Sequence, residues 1–220
     1  MVPSSLFLTA SLLVLGAIAS SAQQSAPIVQ PGAPGQPTKF LTEATVGTEP
    51  KAPFNADVEF MQGMIMHHSQ AVDMVALLRT RGKSPALKSF GEKISISQTD
   101  EIGFMQRWLE SRGKPISMQM DHSKMSAAEM KNMKMHMLMP GMLTPEQMSA
   151  LAKARGAQFD HLFLTGMIQH HGGALTMVDD LFNTPGAGQD PVLFDFATDI
   201  ENTQSAEIKI MRGMLDKEKK

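Results

Sequence analysis

The chain has no cysteine, no tyrosine, a single tryptophan and little net charge. Without cysteine there can be no disulfide framework, thiolate zinc site, iron–sulfur cluster or cysteine nucleophile. A formal net charge of −2 gives no electrostatic reason to expect a nucleic-acid partner or a polybasic membrane-binding surface. Phosphate-binding glycine motifs and a Gly-x-Ser-x-Gly elbow are also missing. Functional chemistry must therefore come from other side chains.

Methionine is the residue in excess, with twenty copies in 220 residues, alongside seven histidines. Thioether and imidazole are ligands for soft or borderline metals, whereas zinc and iron sites usually also recruit thiolate or carboxylate. The composition is therefore the first indication of a soft or borderline metal. The 42% of hydrophobic residues is enough to form a core.

Only one long apolar run exists, Leu6 to Ala19, and it is short for a membrane span. Small residues follow it, so we predict a signal peptide over 1–22 that is cleaved after Ala22. A retained membrane anchor is the alternative, because no basic residue precedes the run.

The next segment, 23–53, is rich in Pro, Gly, Ala and Gln and is predicted to be a flexible leader. The mature protein is expected in a periplasm or outside the cell, without a stable membrane span.

The rest of the chain contains an internal repeat. A shift of 103 residues places Asp57, Met64, His67, His68 and Met74 onto identical residues, and a shift of 106 does the same for Gln98, Glu101 and Met105. The shared residues recur at three- and four-residue steps, which indicates helices. The predicted helices cover 55–81, 85–112, 145–183 with a kink near Gly156, and 190–217.

Two helical hairpins that cannot cover their own apolar faces should pack together as an all-α four-helix bundle. We place this bundle at 54–217. It consists of repeat one at 54–112, a Met-rich insert at 114–143 and repeat two at 145–217.

The shared helix face carries polar and sulfur-bearing residues that a simple core does not need. Burying such polar groups unpaired costs several kcal/mol, roughly 2–7 per group. Met64 lies three residues before His67 and four before His68, so either imidazole can approach its thioether. The candidate metal ligands are Met61, Met64, His67, His68, Met74, Glu101 and Met105 in repeat one, and Met167, His170, His171, Met177, Glu207 and Met211 in repeat two.

A structural explanation is also open. Methionine fills irregular cores, and Glu101 and Glu207 could hold the histidine rings in a polar network that only specifies packing. Because the Met-Ile-x-His-His pattern occurs twice on the face expected to point inward, metal binding is favoured.

The insert contains the segment Met118 to Met142, with nine methionines and two histidines. Clustered thioethers with an imidazole match the coordination that monovalent copper or silver prefers. An amphipathic helix that binds apolar partners is the alternative. The insert could capture metal and pass it to the bundle. The candidate ligands in the insert are His122, Met133, Met135, His136, Met137 and Met139.

In its repeated residues the chain resembles the domain of unknown function 305 family. The resemblance rests on Asp57, Phe60, Met64, His67, His68, Ala71 and Met74, on their copies from Asp160 to Met177, and on the Gln-x-x-Glu-x-x-x-Met patterns at Gln98 and Gln204. It implies a secreted or periplasmic protein with a ferritin-like four-helix bundle that binds copper through methionine and histidine. Di-iron ferritin-like enzymes carry Glu three residues before the histidine, where this chain has Met64 and Met167.

The leading hypothesis is a copper-binding protein that sequesters or ferries Cu(I), or Ag(I), in copper homeostasis or resistance. This function requires no catalytic step. A copper transporter or an envelope copper protein is a candidate partner. The alternatives are a metal oxidase that holds copper or iron with His67, His68, Glu101 and their copies, and a Met-rich bundle that binds proteins without metal.

Overall fold

The structure is a computed structural model that describes residues 28–30, 39–41, 52–118 and 138–218. The first 51 residues contain two short strands, β1 (Ile28–Gln30) and β2 (Lys39–Leu41), which pair antiparallel with Ile28 opposite Leu41. Both strands lie within the leader predicted for 23–53, whose predicted flexibility stays a prediction. Their β-branched and aromatic residues favour extended backbone. The predicted signal segment lies outside the described residues, and its cleavage stays a prediction.

From residue 52 onwards the described chain is helical, which confirms the predicted all-α class. Helices α1 and α2 pack together as one hairpin, α4 and α5 as another, and α1 also packs against α4. The short α3 lies against α4 and α1. A ferritin-like arrangement stays a prediction. The helices are α1 (Asn55–Arg81), α2 (Pro85–Ser111), α3 (Pro145–Lys153), α4 (Gly156–Asn183) and α5 (Pro191–Glu218).

Local sequence signals explain where several helices begin. At α2 the Ser84 hydroxyl accepts a hydrogen bond from the Leu87 amide, at 3.2 Å, and Pro85 occupies the first turn. At α3, Thr144 and Gln147 form a reciprocal capping box. These side chains satisfy amides that have no partner inside the helix. None of the described helices combines the length and apolarity needed to cross a bilayer.

The single helix predicted for 145–183 is wrong, because the chain breaks between α3 and α4. Ala154 and Arg155 have extended backbone, and Gly156 has a φ of 64°. That φ lies in the left-handed region, which glycine adopts without the steric cost of a Cβ. The expected kink is therefore a complete break.

An aspartate at the start of each repeat holds the turn of the other repeat. The carboxylate of Asp160 accepts hydrogen bonds from the amides of Lys83 and Ser84, at 2.9 and 2.8 Å. Asp57 accepts one from the amide of Gly188, at 2.7 Å. Burial raises the pKa of Asp57, partly opposed by this hydrogen bond. These contacts tie the two hairpins together at both ends of the α1–α4 pair.

The buried core consists of two apolar clusters, here called the Met64 cluster and the Met167 cluster. Trp108, Leu109 and Leu193 belong to the first, and Leu78, Phe159 and Phe163 to the second. All four long helices contribute to each. Between the clusters, every long helix carries polar residues. This polar layer comprises His67, His68, Gln98, Glu101, His170, His171, Gln204 and Glu207.

Candidate metal centre in the polar layer

The four predicted histidines meet where α1 and α4 pack against each other. All four are fully buried. The ring centroids of His67 and His170 are 3.7 Å apart, and each lies 6.2 Å from the ring of the next histidine in its own helix. The repeated His-His pairs therefore form one central group.

The outer histidine of each pair is held by a carboxylate. The Nε2 atom of His68 lies 2.6 Å from Oε2 of Glu101, and Nε2 of His171 lies 2.6 Å from Oε2 of Glu207. A carboxylate only accepts, so each Nε2 carries the proton that is donated. The glutamate side chains are 21% and 14% exposed, which places them at the rim of the layer. Glu101 also accepts a hydrogen bond from the Ser97 hydroxyl, at 2.8 Å.

The inner histidines donate to backbone carbonyls instead. Nε2 of His67 donates to the Pro140 carbonyl at 3.0 Å, and Nε2 of His170 donates to the His67 carbonyl at 2.9 Å. Burial, assisted by the nearby His68, lowers the pKa of His67 to about 3. Burial and the neighbouring histidines also hold the pKa of His170 well below its usual value. Both inner rings are therefore neutral at physiological pH.

In all four histidines the remaining ring nitrogen has no partner within the described part of the chain. Each Nδ1 atom is buried and makes no hydrogen bond to any described residue. Because Nε2 is the donor in every ring, Nδ1 of a neutral ring carries a free lone pair. A histidine that binds a metal through one nitrogen commonly donates its other N–H to a carboxylate or a backbone carbonyl. The four rings match that arrangement, so their chemistry fits a metal ligand set.

The layer also contains two carboxamides that no described residue contacts through a hydrogen bond. Gln98 and Gln204 are 2% exposed, and neither the oxygen nor the nitrogen of either amide has a partner in residues 52–118 or 138–218. Buried polar atoms of this kind are rare in native proteins and call for a bound partner.

Thioether sulfur flanks the histidines on both sides. Met61, Met64, Met105 and Met177 belong to the Met64 cluster, and Met74, Met167 and Met211 to the Met167 cluster. All are fully buried except Met177, which is 8% exposed. In the described part of the chain no three His, Asp or Glu side chains are grouped as a metal site. Imidazole nitrogen and thioether sulfur are the two soft-metal ligand types in and beside this layer.

The predicted ligands in the insert are only partly covered by the structure. His122, Met133, Met135, His136 and Met137 lie outside the described residues, so their role stays a prediction. Met139 is described, is half-buried and packs against the Met64 cluster.

The segment 139–143 packs on α1 and α4 and contacts the buried His67 through the Pro140 carbonyl, which the sequence analysis did not foresee. In addition to the Pro140–His67 bond, the Gln70 side chain pairs with both backbone groups of Leu143, at 2.7 and 3.0 Å. On α4, Gly173 lets this segment approach so closely that an added Cβ would lie 1.8 Å from the Pro140 carbonyl oxygen. The Gly172-Gly173 pair inside a helix was the available signal for such an approach.

Glu101 connects the buried layer with solvent. It lines an open groove of about 460 Å³ between α2 and α5, together with Asp100, Asp195 and Asp199. Phe104 and Phe196, with ring centroids 4.5 Å apart, form the apolar wall of this groove. His68 is thus one hydrogen bond away from the surface.

Fold and site together define a class: helical-hairpin proteins with paired, carboxylate-supported histidines in a buried layer rich in methionine. The family described as "Domain of unknown function (DUF305)" matches residues 57–215, and the chain belongs to this family.

Solved structures of similar proteins agree with this assignment. A DUF305 protein from Streptomyces coelicolor that is presumed to be secreted is 28% identical, with a TM-score of 0.60, and the match covers 74% of this chain and 93% of that protein. A DUF305 fragment from Deinococcus radiodurans is 27% identical, with a TM-score of 0.60 and coverage of 75% and 98%. CopM in its Cu(I)-bound form is 27% identical, with a TM-score of 0.54 and coverage of 73% and 96%.

One curated relative shares a shorter region. The uncharacterized protein L153 of Acanthamoeba polyphaga mimivirus is 39% identical over 59 residues, which is 27% of this chain and 39% of that protein.

Proposed function

We propose that this protein binds copper as Cu(I), and Ag(I) in its place, within the polar layer, and that it sequesters or ferries the ion in copper homeostasis or resistance. The observation that carries the proposal is the set of four buried Nδ1 atoms that no described residue contacts through a hydrogen bond, each on a ring whose Nε2 is fixed by a carboxylate or a carbonyl. Such rings have a free ligand atom and a fixed orientation.

The neighbouring sulfur favours a soft monovalent ion. Thioethers select Cu(I) over the harder divalent metals, and neither a neutral imidazole nor a thioether adds negative charge to the site. An ion with one positive charge therefore has a smaller desolvation cost in this layer than an ion with two. CopM, which shares the fold, is known in Cu(I)-bound, Cu(II)-bound and silver-bound forms.

The proposal places the protein outside the cytoplasm. The apolar N-terminal run and the Streptomyces coelicolor relative support secretion or a periplasmic location. In that setting a copper transporter or an envelope copper protein would be the recipient of the ion. Thioether ligands suit such a compartment, because thiols there are oxidised to disulfides.

The test is a Cu(I) titration of the protein against a competing chelator. The double variant His68→Gln/His171→Gln should lower the Cu(I) affinity at least about 100-fold, since supporting groups alone are worth about 10–100-fold. The matched control is His161→Gln, because the His161 side chain is exposed and pairs with Glu218 at 3.0 Å, outside the polar layer. Unchanged affinity in the double variant would refute the polar-layer site.

A further inference from the structure

Three methionine side chains converge on the backbone of Gly63, one turn of α1 before His67. A Cβ added at Gly63 would lie 3.4 Å from the Sδ atom of Met139, 3.4 Å from Cε of Met177 and 3.6 Å from Cε of Met118. These residues come from three parts of the chain. Met177 lies on α4, and the other two lie at opposite ends of the Met-rich insert.

Hydrogen bonds from α1 hold both ends of the insert in this place. The Gln62 amide donates to the carbonyls of Pro115 and Ser117, at 2.7 and 3.3 Å. On the other side, His67 holds Pro140 and Gln70 holds Leu143. The two insert ends are therefore fixed to the same stretch of α1, which brings Met118 and Met139 to the same side of Gly63.

The equivalent position in repeat two is different. A Cβ added at Gly166 would meet Met74 Cε at 3.3 Å, but its other neighbours are the Leu143 methyl groups, at 3.0 and 3.5 Å. Leucine has no donor atom, so this position offers a single thioether. The residue equivalent to Gln62 is Thr165, which bonds within its own helix.

We propose that Met118, Met139 and Met177 form a second metal site over Gly63, built from thioethers alone, that binds Cu(I) or Ag(I). The site adds to the proposed function and rests on it only for the identity of the ion. Three thioethers without a charged ligand select a soft monovalent cation. Met118 and Met139 are half-buried whereas Met177 is 8% exposed, so the site lies between the surface and the core.

This placement gives the site a role between the insert and the bundle. It lies one helical turn from His67, and Met64, the next residue after Gly63, is fully buried beside the polar layer. An ion held over Gly63 is therefore adjacent to the polar layer and to both ends of the insert.

The experiment follows the methionine methyl groups by NMR in the full chain, labelled with ¹³C at Cε and titrated with Ag(I). The signals of Met118, Met139 and Met177, assigned with single Met→Leu variants, should move together and saturate with one ion. Met148→Leu is the matched control, because Met148 lies on α3 away from this site. Unrelated midpoints for the three signals, or no movement, would overturn the proposal.

Repeating the titration with His68→Gln/His171→Gln separates this site from the polar layer. The three signals should still move together with the same midpoint, even though the layer has lost its own ion. If the movement disappears with the histidines, the thioethers do not form a separate site. If the wild-type polar layer binds no ion but the three signals still shift, the proposed function fails and this inference stands.

A pair of glycine variants tests the space over Gly63 directly. Gly63→Ala places a methyl group against Met139 and Met177, whereas Gly172→Ala on α4 meets nothing within 4 Å. Gly63→Ala should weaken Ag(I) binding to the three methionines about tenfold, because the added methyl group contacts the thioethers and fills the space that an ion between them would need. Gly172→Ala should leave it unchanged. Equal affinity in both variants would contradict the site.

Discussion

The two repeats contribute the same groups to the polar layer but differ in what surrounds them. His68–Glu101 and His171–Glu207 have the same 2.6 Å distance, and all four Nδ1 atoms lack a partner among the residues that the structure describes. Around repeat one, however, the insert supplies a carbonyl to His67 and two methionines to Gly63. The shared part is the chemistry of the layer, and the differing part is the attachment of the insert.

This difference shows that the duplication of the hairpin alone does not define the site. An exactly symmetric bundle would give His67 and His170 the same kind of partner from the opposite helix. Instead, His170 donates to α1 while His67 donates to segment 139–143. The insert has therefore become part of one half of the layer.

The largest expected effect on stability comes from a substitution that separates segment 139–143 from α4. Gly173→Ala would place a Cβ against the Pro140 carbonyl, and neither backbone can yield easily. We expect a loss of about 3 kcal/mol in the free energy of unfolding, at the upper end of ordinary overpacking. Urea denaturation measures it.

The matched control for that variant is Gly172→Ala. Its Cβ meets no atom within 4 Å, so alanine should stabilise α4 by about 0.5–1 kcal/mol. Equal stability of the two variants would contradict the close packing of segment 139–143 on α4.

Acid should destabilise the metal-free protein through the inner histidines. Because the pKa of His67 is lowered to about 3, the folded chain stays neutral there while the unfolded chain takes up a proton below pH 6.5. The contribution of the neutral inner rings to the free energy of unfolding is therefore fully present above about pH 6.5, and it is lost progressively as the pH falls below that value. His67 alone should cost about 2 kcal/mol by pH 5, and His170 acts in the same direction.

Urea denaturation between pH 7.5 and 5 tests this dependence. His68 and His171 face the inner rings, and a positive charge on either would oppose protonation of His170. Replacing the exposed His161 by Gln should not change the slope of the free energy of unfolding against pH. A stability that stays constant down to pH 5 would show that the inner rings are not held neutral.

The two carboxylates provide the sharpest comparison of the repeats. Glu101→Gln and Glu207→Gln should each weaken Cu(I) binding about 10- to 100-fold, because an amide supports the imidazole less strongly than a carboxylate does. Competition titration compares the variants. Similar losses of Cu(I) affinity in the two variants would support a layer to which both repeats contribute equally. A loss confined to one variant would show that the two repeats are not equivalent.

The smallest effect is expected at the reciprocal turn contacts. Asp160→Asn should cost about 1 kcal/mol, because the carboxylate accepts two backbone hydrogen bonds and asparagine retains one good acceptor. Asp57→Asn should cost less, since Asp57 accepts one bond from the opposite turn and burial already raises its pKa. The midpoints of urea denaturation should rank in that order. A larger loss for Asp57→Asn would contradict the ranking.

The helices and the inward histidines could be predicted because both depend on residue spacing. The three- and four-residue steps around His67 and His170 require a helix and fix which face is shared. Proline and serine at 84–85 mark the start of α2 in the sequence. The same spacing could not show which nitrogen of each ring is engaged, because that depends on partners from other helices.

The features that were missed are contacts between distant segments. Segment 139–143 has no periodicity, so nothing in its sequence indicates that Pro140 meets His67, 73 residues away. Asp57 and Asp160 were recognised as identical, but their partners are in the opposite repeat. The break at Gly156 was expected as a kink, since a glycine signals freedom of φ without specifying its value.

The most direct test of the account is ¹⁵N NMR of the histidine rings before and after addition of Ag(I). In the metal-free protein the four buried rings should carry their proton on Nε2 with Nδ1 bare. Saturating Ag(I) should shift the Nδ1 resonances of the polar layer and leave Nε2 protonated, while exposed His161 does not respond. If the four Nδ1 resonances stay unchanged at saturating Ag(I), the polar layer does not bind the ion and the account is wrong.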